Sequence, residues 1–373
     1  MKIGIKSVIL FLVIISLELF NPIYAFPKNV VQDDILENEP EFFVLAWKEG
    51  TILAKKETSM YIEVDSLGRQ NINILVNKKQ EPVLFTSNIS TSVCADGECR
   101  LMKIQLYWTL LGGYAGFDSY PGFPLTKHEH DEFLNADYLK LHQLLLDNKS
   151  ILKQRKIDEL IDKPKQLDLN GVDGLSGATI AEVKETVVAG ALYSCYVAWH
   201  LVHGVIKVKL KAYTLSKLND EMVINMLYSN NLDYQMFCLN RIDELQYTEH
   251  HDRIMEIFDS GIPLVRSVII KNFTENFWNS PELQKPIWNY FSTIDVNNRS
   301  LLLNRLDKAT NEILEDLSSE LKVMTKNQLK IYLINLENKI SINAMIIMNL
   351  QNFSKANKYT YAYLVQNFLE DRE

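Results

Sequence analysis

The run Met102-Lys103-Ile104-Gln105-Leu106-Tyr107-Trp108 decides the first half of the fold. Met102, Ile104 and Leu106 fall on one side of an extended chain, and Lys103 and Gln105 fall on the other. A period of two is the signature of a strand with one covered face. Working outward, similar runs occur at Phe43-Val44-Leu45-Ala46-Trp47, Ser59 to Val64, Asn71 to Val76, Val83 to Ser90 and Tyr114 to Phe117. Turn signals such as Lys48-Glu49-Gly50 and Leu67-Gly68-Arg69 separate them. A helix is expected next, with Asp137 as N-cap and Tyr138, Leu141, Leu144 and Leu145 on its apolar stripe. A second, long helix is expected from Thr179 to Gly204. Its inward residues are Val183, Val187, Leu192, Cys195, Trp199 and Val202, and Gly204 is its C′ residue. Val205 to Tyr213 reads as one more strand. Together these make an α+β domain over residues 26–213.

After Leu215 the period changes to that of helices. Stretches such as Asp220 to Tyr228, Asp233 to Leu245, Asp252 to Asp259, Glu282 to Phe291, Ser300 to Leu306, Asn311 to Lys322, Lys326 to Leu336, Ile340 to Leu350 and Tyr359 to Leu369 are joined by short polar breaks. Residues 214–373 are therefore expected to form an all-α domain of helical-repeat or bundle type. No fixed residue signature recurs, so an irregular stack of helix pairs and a compact bundle both fit.

The chain has 373 residues, of which 47% are hydrophobic and 23% charged, too apolar for disorder and long enough for two folded units. Its net charge of -8 gives no dominant basic surface to neutralise phosphates, which disfavours nucleic-acid binding. Residues 1–25 carry Lys2 and Lys6, the apolar run Val8 to Ile15, and a small residue at Ala25. That is the layout of a secretory signal peptide, and Glu18 interrupts the run before it reaches membrane-spanning length. Cleavage near Ala25 and an extracytoplasmic location, periplasmic or secreted, are expected.

Cys94 and Cys99 flank Ala95-Asp96-Gly97-Glu98. If Asp96-Gly97 forms a two-residue hairpin turn, the two cysteines face each other as a non-hydrogen-bonded pair, with a Cα separation of about 4.5 Å that suits a disulfide. A hairpin-stapling disulfide is expected, with two free thiols as the alternative. Cys195 and Cys238 read as small core residues.

The chemistry-bearing stretch is Asp173-Gly174-Leu175-Ser176-Gly177-Ala178-Thr179. Its small residues leave the backbone open, and Thr179 stands where helix N-terminal N–H groups converge on an anion. Thr179 with Glu182 also forms a capping box, which needs no ligand. The stretch resembles the flavinylation motif of FMN-binding domains, Asp-x-x-(Ser/Thr)-Gly-Ala-Thr, found in flavin-carrying subunits of sodium-pumping and Rnf-type redox complexes. The resemblance covers about residues 100 to 205. It implies that Thr179 carries FMN through a phosphoester, and that Asp173, Ser176, Gly177 and Ala178 match the motif read by a flavinyltransferase outside the cytoplasm. Because the motif supplies a redox group but no substrate base or nucleophile, an electron carrier is expected more than a stand-alone enzyme, with an unknown redox partner docking on the helical half.

Other readings are weaker. Tyr107, Trp108, Tyr114 and Phe117 could stack on a flavin ring but read first as core. Lys127 could neutralise phosphate. His128 and His130, or His200 and His203, could ligate a metal, but a charged loop and a helix C-terminal contact explain them without one. Gly174-Leu175-Ser176-Gly177-Ala178 half resembles a nucleophile elbow, which would make Ser176 the nucleophile of a hydrolase. A cofactor-free scaffold on the same domain is the binding-class alternative.

Overall fold

The alternating runs of the first half pair into one curled antiparallel sheet. The computed structural model describes residues 35–64, 68–93, 101–127, 130–162, 178–179, 181–338, 342–356 and 359–372. The chain divides into a unit of Met1–Thr109 with Gly113–Ile206, and a unit of Leu110–Gly112 with Lys207–Glu373.

In the first unit the strands are β1 (Ile35–Leu36), β2 (Phe42–Phe43), β3 (Leu53–Val64), β4 (Gly68–Val76), β5 (Pro82–Thr91), β6 (Met102–Thr109) and β7 (Tyr114–Ser119). Their spatial order is β1-β3-β4-β5-β6-β7-β2. The strand expected at Phe43 to Trp47 is shorter than its sequence suggests: β2 ends at Phe43, and Phe43, Leu45 and Trp47 fold over the sheet instead. The strand expected from Ser59 begins earlier, at Leu53. Lys55, Lys56 and Glu57 keep solvent access there, so the apolar alternation that marks a covered strand is missing.

The register assigns the two faces. Pairs Ile74↔Phe85, Phe85↔Trp108 and Leu106↔Phe117 carry large side chains onto one face. Helix α1 (Asn135–Leu146) packs there on β7, and α3 (Leu192–His203) packs on β6. Phe85, Ile104, Leu106, Trp108 and Phe117 are fully buried, and each contributes about 1.5–3 kcal/mol by leaving water. On the opposite face Leu36, Leu53, Leu75, Leu84, Tyr107 and Ala115 form a second cluster.

Helix α1 buries Tyr138, Leu141, Leu144 and Leu145 as expected, but Asp137 is not its N-cap. It lies one turn in, where its carboxylate accepts from the Leu134 N–H at 2.9 Å. The long helix expected from Thr179 is broken. A single turn, α2 (Ala181–Lys184), is followed by irregular chain and then by α3. Gly190, at φ +75°, takes the left-handed conformation that ends helices, and the Val188 N–H donates to Cys195 Sγ across the break. All six expected inward residues are nevertheless buried. Gly204 caps α3 with φ -74°, not in the left-handed region, and a Cβ there would lie 2.5 Å from the His200 carbonyl oxygen.

Val205 to Tyr213 is not a strand but part of α4 (Val205–Lys217). Its period of two is accidental: Ile206, Leu210 and Thr214, four apart, are buried, while Val205 and Val208 are 73% and 70% exposed.

The second unit continues with α5 (Asp220–Leu227), α6 (Leu232–Leu239), α7 (Glu244–Glu249), α8 (His251–Ser260), α9 (Pro263–Asn272), α10 (Glu275–Asn279), α11 (Pro281–Trp288), α12 (Val296–Leu303), α13 (Asn311–Ser319), α14 (Lys326–Glu337), α15 (Ala344–Ser354) and α16 (Ala362–Glu370). The single helix expected from Asp233 to Leu245 ends at Leu239. Asp243 then caps a new one, accepting from Gln246 N. Five pairs follow a spacing of about thirty residues: α5 with α6, α8 with α9, α11 with α12, α13 with α14, and α15 with α16. The second helices contact in succession, α6 on α9, α9 on α12, α12 on α14 and α14 on α16. Several side-chain hydrogen bonds between pairs span 30 to 33 residues, as from Asn272 to Leu239, Ser267 to Asn298 and Gln328 to Val296.

The β6–β7 tip, Leu110–Gly112, belongs to this helical unit. Its open backbone groups are satisfied by the Tyr234 hydroxyl, which accepts from Leu110 N at 2.7 Å, and by Thr214 Oγ1, which donates to Leu110 O at 2.6 Å. Gly112 has φ +73°, and a Cβ would meet the Lys207 carbonyl oxygen at 2.4 Å. Gly112→Ala is expected to lower the denaturant midpoint well beyond the 1–2 kcal/mol, roughly, that left-handed backbone costs an L residue. Gly122→Ala, at φ +78° with open space around it, should lose only that backbone part.

Candidate functional site

The backbone of Ala178–Thr179 forms a two-residue strand, β9, paired antiparallel with β8 (Ile161–Asp162) so that Ile161 faces Thr179. This ribbon is separate from the seven-stranded sheet. Helix α2 begins two residues after Thr179, at Ala181, and lasts one turn. Asp173, Ser176 and Gly177 lie outside the described residues, as do Cys94, Cys99 and His128.

The other candidates have structural employment. Tyr107, Trp108 and Phe117 are fully buried and Tyr114 nearly so, which removes them as stacking platforms and makes them core. Lys127 Nζ pairs with Asp137 at 2.8 Å. Burial opposes the charge of Asp137, but Lys127 and the Leu134 N–H outweigh it and hold the carboxyl below its usual range. His130 sits at φ +65° in a tight turn, its N–H bonded to the Lys127 carbonyl. Burial pushes the Cys195 and Cys238 thiols up to about 12, so both are inert core residues.

His200 and His203 do not converge on a metal. Together with Trp199 they close the carbonyl end of α1 and the turn after it: His203 Nε2 meets Leu145 O at 2.8 Å, Trp199 Nε1 donates to Asp147 O at 2.8 Å, and His200 Nε2 meets Leu152 O at 3.1 Å. Carbonyls left open at a helix C-terminus are satisfied in this way. Among the described residues no group of three His, Cys, Asp or Glu side chains could hold a metal ion.

No family model, no curated protein and no solved structure matches this chain.

Two features were not singled out from the sequence. The first is a set of buried polar contacts. Tyr107 OH donates to Asp118 Oδ2 at 2.7 Å and Glu41 N donates to Asp118 Oδ1 at 2.5 Å. Burial raises the Asp118 carboxyl above its usual value against the pull of these two donors. Across the sheet, His142 of α1 lies among Phe42, Tyr114 and Phe117, with its Nδ1 2.8 Å from Tyr114 OH.

Burial alone lowers the His142 pKa, and burial, partly offset by the Leu152 carbonyl, lowers that of His200. The unfolded chain then binds protons that the folded one refuses, so stability is lost as pH falls below about 6.5 toward the folded values. Urea midpoints measured at pH about 7.5 and about 5.5 should drop on the acid side for the wild type, and the drop should be smaller in His142→Gln.

The second feature is a shallow cleft of about 430 Å³ on the sheet, lined by Gln70, Asn71, Asn73, Asn88 and Ser90. It opens where β4 and β5 part beyond the Asn73↔Thr86 pair. Side chains there replace ladder bonds. The Gln70 amide donates to Ser90 O at 2.5 Å and accepts from Ser90 N at 2.8 Å, and Ser87 Oγ donates to Asn71 O at 2.8 Å. The sequence signal was the polar half of the alternation in these strands.

Proposed function

We propose that this chain is an exported flavoprotein that carries FMN covalently on Thr179 and relays electrons to or from a partner protein. The observation that carries the reading is the motif Asp173-Gly174-Leu175-Ser176-Gly177-Ala178-Thr179. The residues fit such an attachment. A phosphoester asks for a hydroxyl on a segment that a modifying enzyme can reach, and β9 pairs with β8 outside the seven-stranded sheet. When bound, FMN supplies reversible electron transfer. Asp173, Ser176, Gly177 and Ala178 are the positions the flavinyltransferase reads, and Thr179 Oγ holds the phosphate. Because Tyr107, Trp108, Tyr114 and Phe117 are core, other residues orient the ring.

Export is supported by the layout of residues 1–25, and no described helix is long and apolar enough to cross a membrane. A docking role for the helical half is supported by Leu232, Leu264 and Val296, which stand at the N-terminal ends of α6, α9 and α12 and are 43%, 61% and 42% exposed. Aliphatic side chains repeated along a stack of helices suit a protein partner. Co-expression with a flavinyltransferase, followed by intact mass, tests the reading. The mass should rise by one FMN less one water. An unmodified chain would instead favour a cofactor-free scaffold.

A further inference from the structure

We propose that the cleft between β4 and β5 binds a neutral oligosaccharide segment, a role that goes beyond the flavin reading and does not depend on it. The lining is uncharged: Asn71, Asn73 and Asn88 bring carboxamides and Ser90 a hydroxyl, while the Gln70 carboxamide is engaged by the Ser90 backbone. Asn71 and Asn88 are exposed, Ser90 is half-buried and Asn73 is buried. A carboxamide offers both a donor and an acceptor, which is the pairing that neighbouring sugar hydroxyls present, since each can give and take one hydrogen bond. The register spreads these groups over two dimensions. Asn73 faces Thr86, Asn88 faces Gln105, and rows about 4.8 Å apart across the strands repeat at every second residue along them. A volume of about 430 Å³ falls in the range of small-ligand sites and suits a few sugar rings.

Competing ligand classes lack their requirements here. Strand addition by a peptide needs open backbone groups at a sheet edge, but β4 and β5 are internal strands. Where they part, the backbone of Ser90 and the carbonyl of Asn71 are already bonded to the Gln70 and Ser87 side chains. An anionic ligand needs available cations. The two cations nearest in register are engaged: the Arg69 guanidinium lies 4.2 Å from the Tyr61 ring centre and 3.6 Å from Glu63, and Lys103 Nζ lies 3.7 Å from the Phe123 ring centre.

The test is isothermal titration of the full chain with maltotetraose, cellotetraose and chitotetraose in turn. At least one should bind with a Kd between about 10 μM and 1 mM, and the Asn71→Ala/Asn88→Ala double variant should weaken that binding at least about tenfold. The affinity should change little with salt, and the unfolding midpoint of the variant should match the wild type. If the double variant does not fold, Asn88→Lys alone, which fills the cleft from an exposed position, should give the same loss. The proposal is overturned if none of the three sugars binds, or if binding survives in a folded variant. It is also overturned if binding collapses with salt and an anionic oligosaccharide such as tetragalacturonate is preferred. Thr179→Ala should leave sugar binding unchanged, which separates a failure here from a failure of the flavin reading.

Discussion

Trp108→Ala is expected to unfold the sheet-bearing unit at temperatures where the wild type is folded. The indole is fully buried, with Phe85 and Tyr114 opposite it in the flanking strands. Its Nε1–H donates to Val202 O at 3.2 Å. Truncating a buried tryptophan costs about 3–5 kcal/mol through lost contact and the cavity left behind. Val202 lies in the last turn of α3, where carbonyls have no intrahelical partner, so removing the indole adds the cost of an orphaned acceptor, about 1–3 kcal/mol. The sum approaches the whole stability of a typical domain, about 5–15 kcal/mol. Urea unfolding followed by circular dichroism checks this. The first transition should vanish or move to very low denaturant in Trp108→Ala, while Trp108→Phe, which keeps most of the volume, should shift it only partway.

How much of this was legible in the sequence depends on how local each cause is. Strands β4, β5, β6 and β7 were legible because one covered face imposes a period of two on residues such as Ile104 and Leu106. The misreading at Val205 to Tyr213 shows the limit of that signal. Over a few residues, valines and lysines alternate by accident, and only burial at Ile206, Leu210 and Thr214 reveals a helix. The break before α3 depends on one backbone conformation, that of Gly190, which an apolar stripe running on both sides conceals. In the helical unit the missing signature is conformational and not residue-specific. Ser280 and Thr310 cap α11 and α13, and Asp295 and Thr325 cap α12 and α14, so the spacing lies in cap positions filled by interchangeable small polar residues.

The buried polar groups were illegible for a different reason. Thr86 and Gln105 look like the wet side of alternating strands, yet both are buried and bonded to each other at 3.2 Å. Asp118 is held by Glu41, 77 residues away. No pattern within one strand announces a partner at that distance.

Thr179→Ala carries the other large effect. If Thr179 Oγ holds FMN, removing one hydroxyl abolishes covalent flavin completely, since no phosphoester can form at alanine. Thr179→Ser keeps a hydroxyl and should retain part of the modification. The substitution should leave the fold intact, because Thr179 lies in a two-residue ribbon outside the main sheet. Unchanged urea transitions would verify that.

The most direct measurement is to co-express the chain with a flavinyltransferase, denature and desalt it, digest it, and find the peptide that keeps flavin fluorescence. The yellow peptide should contain Asp173 to Thr179, and it should be colourless in Thr179→Ala. A wild-type chain without any flavin peptide, or a Thr179→Ala chain as yellow as the wild type, would contradict the assignment.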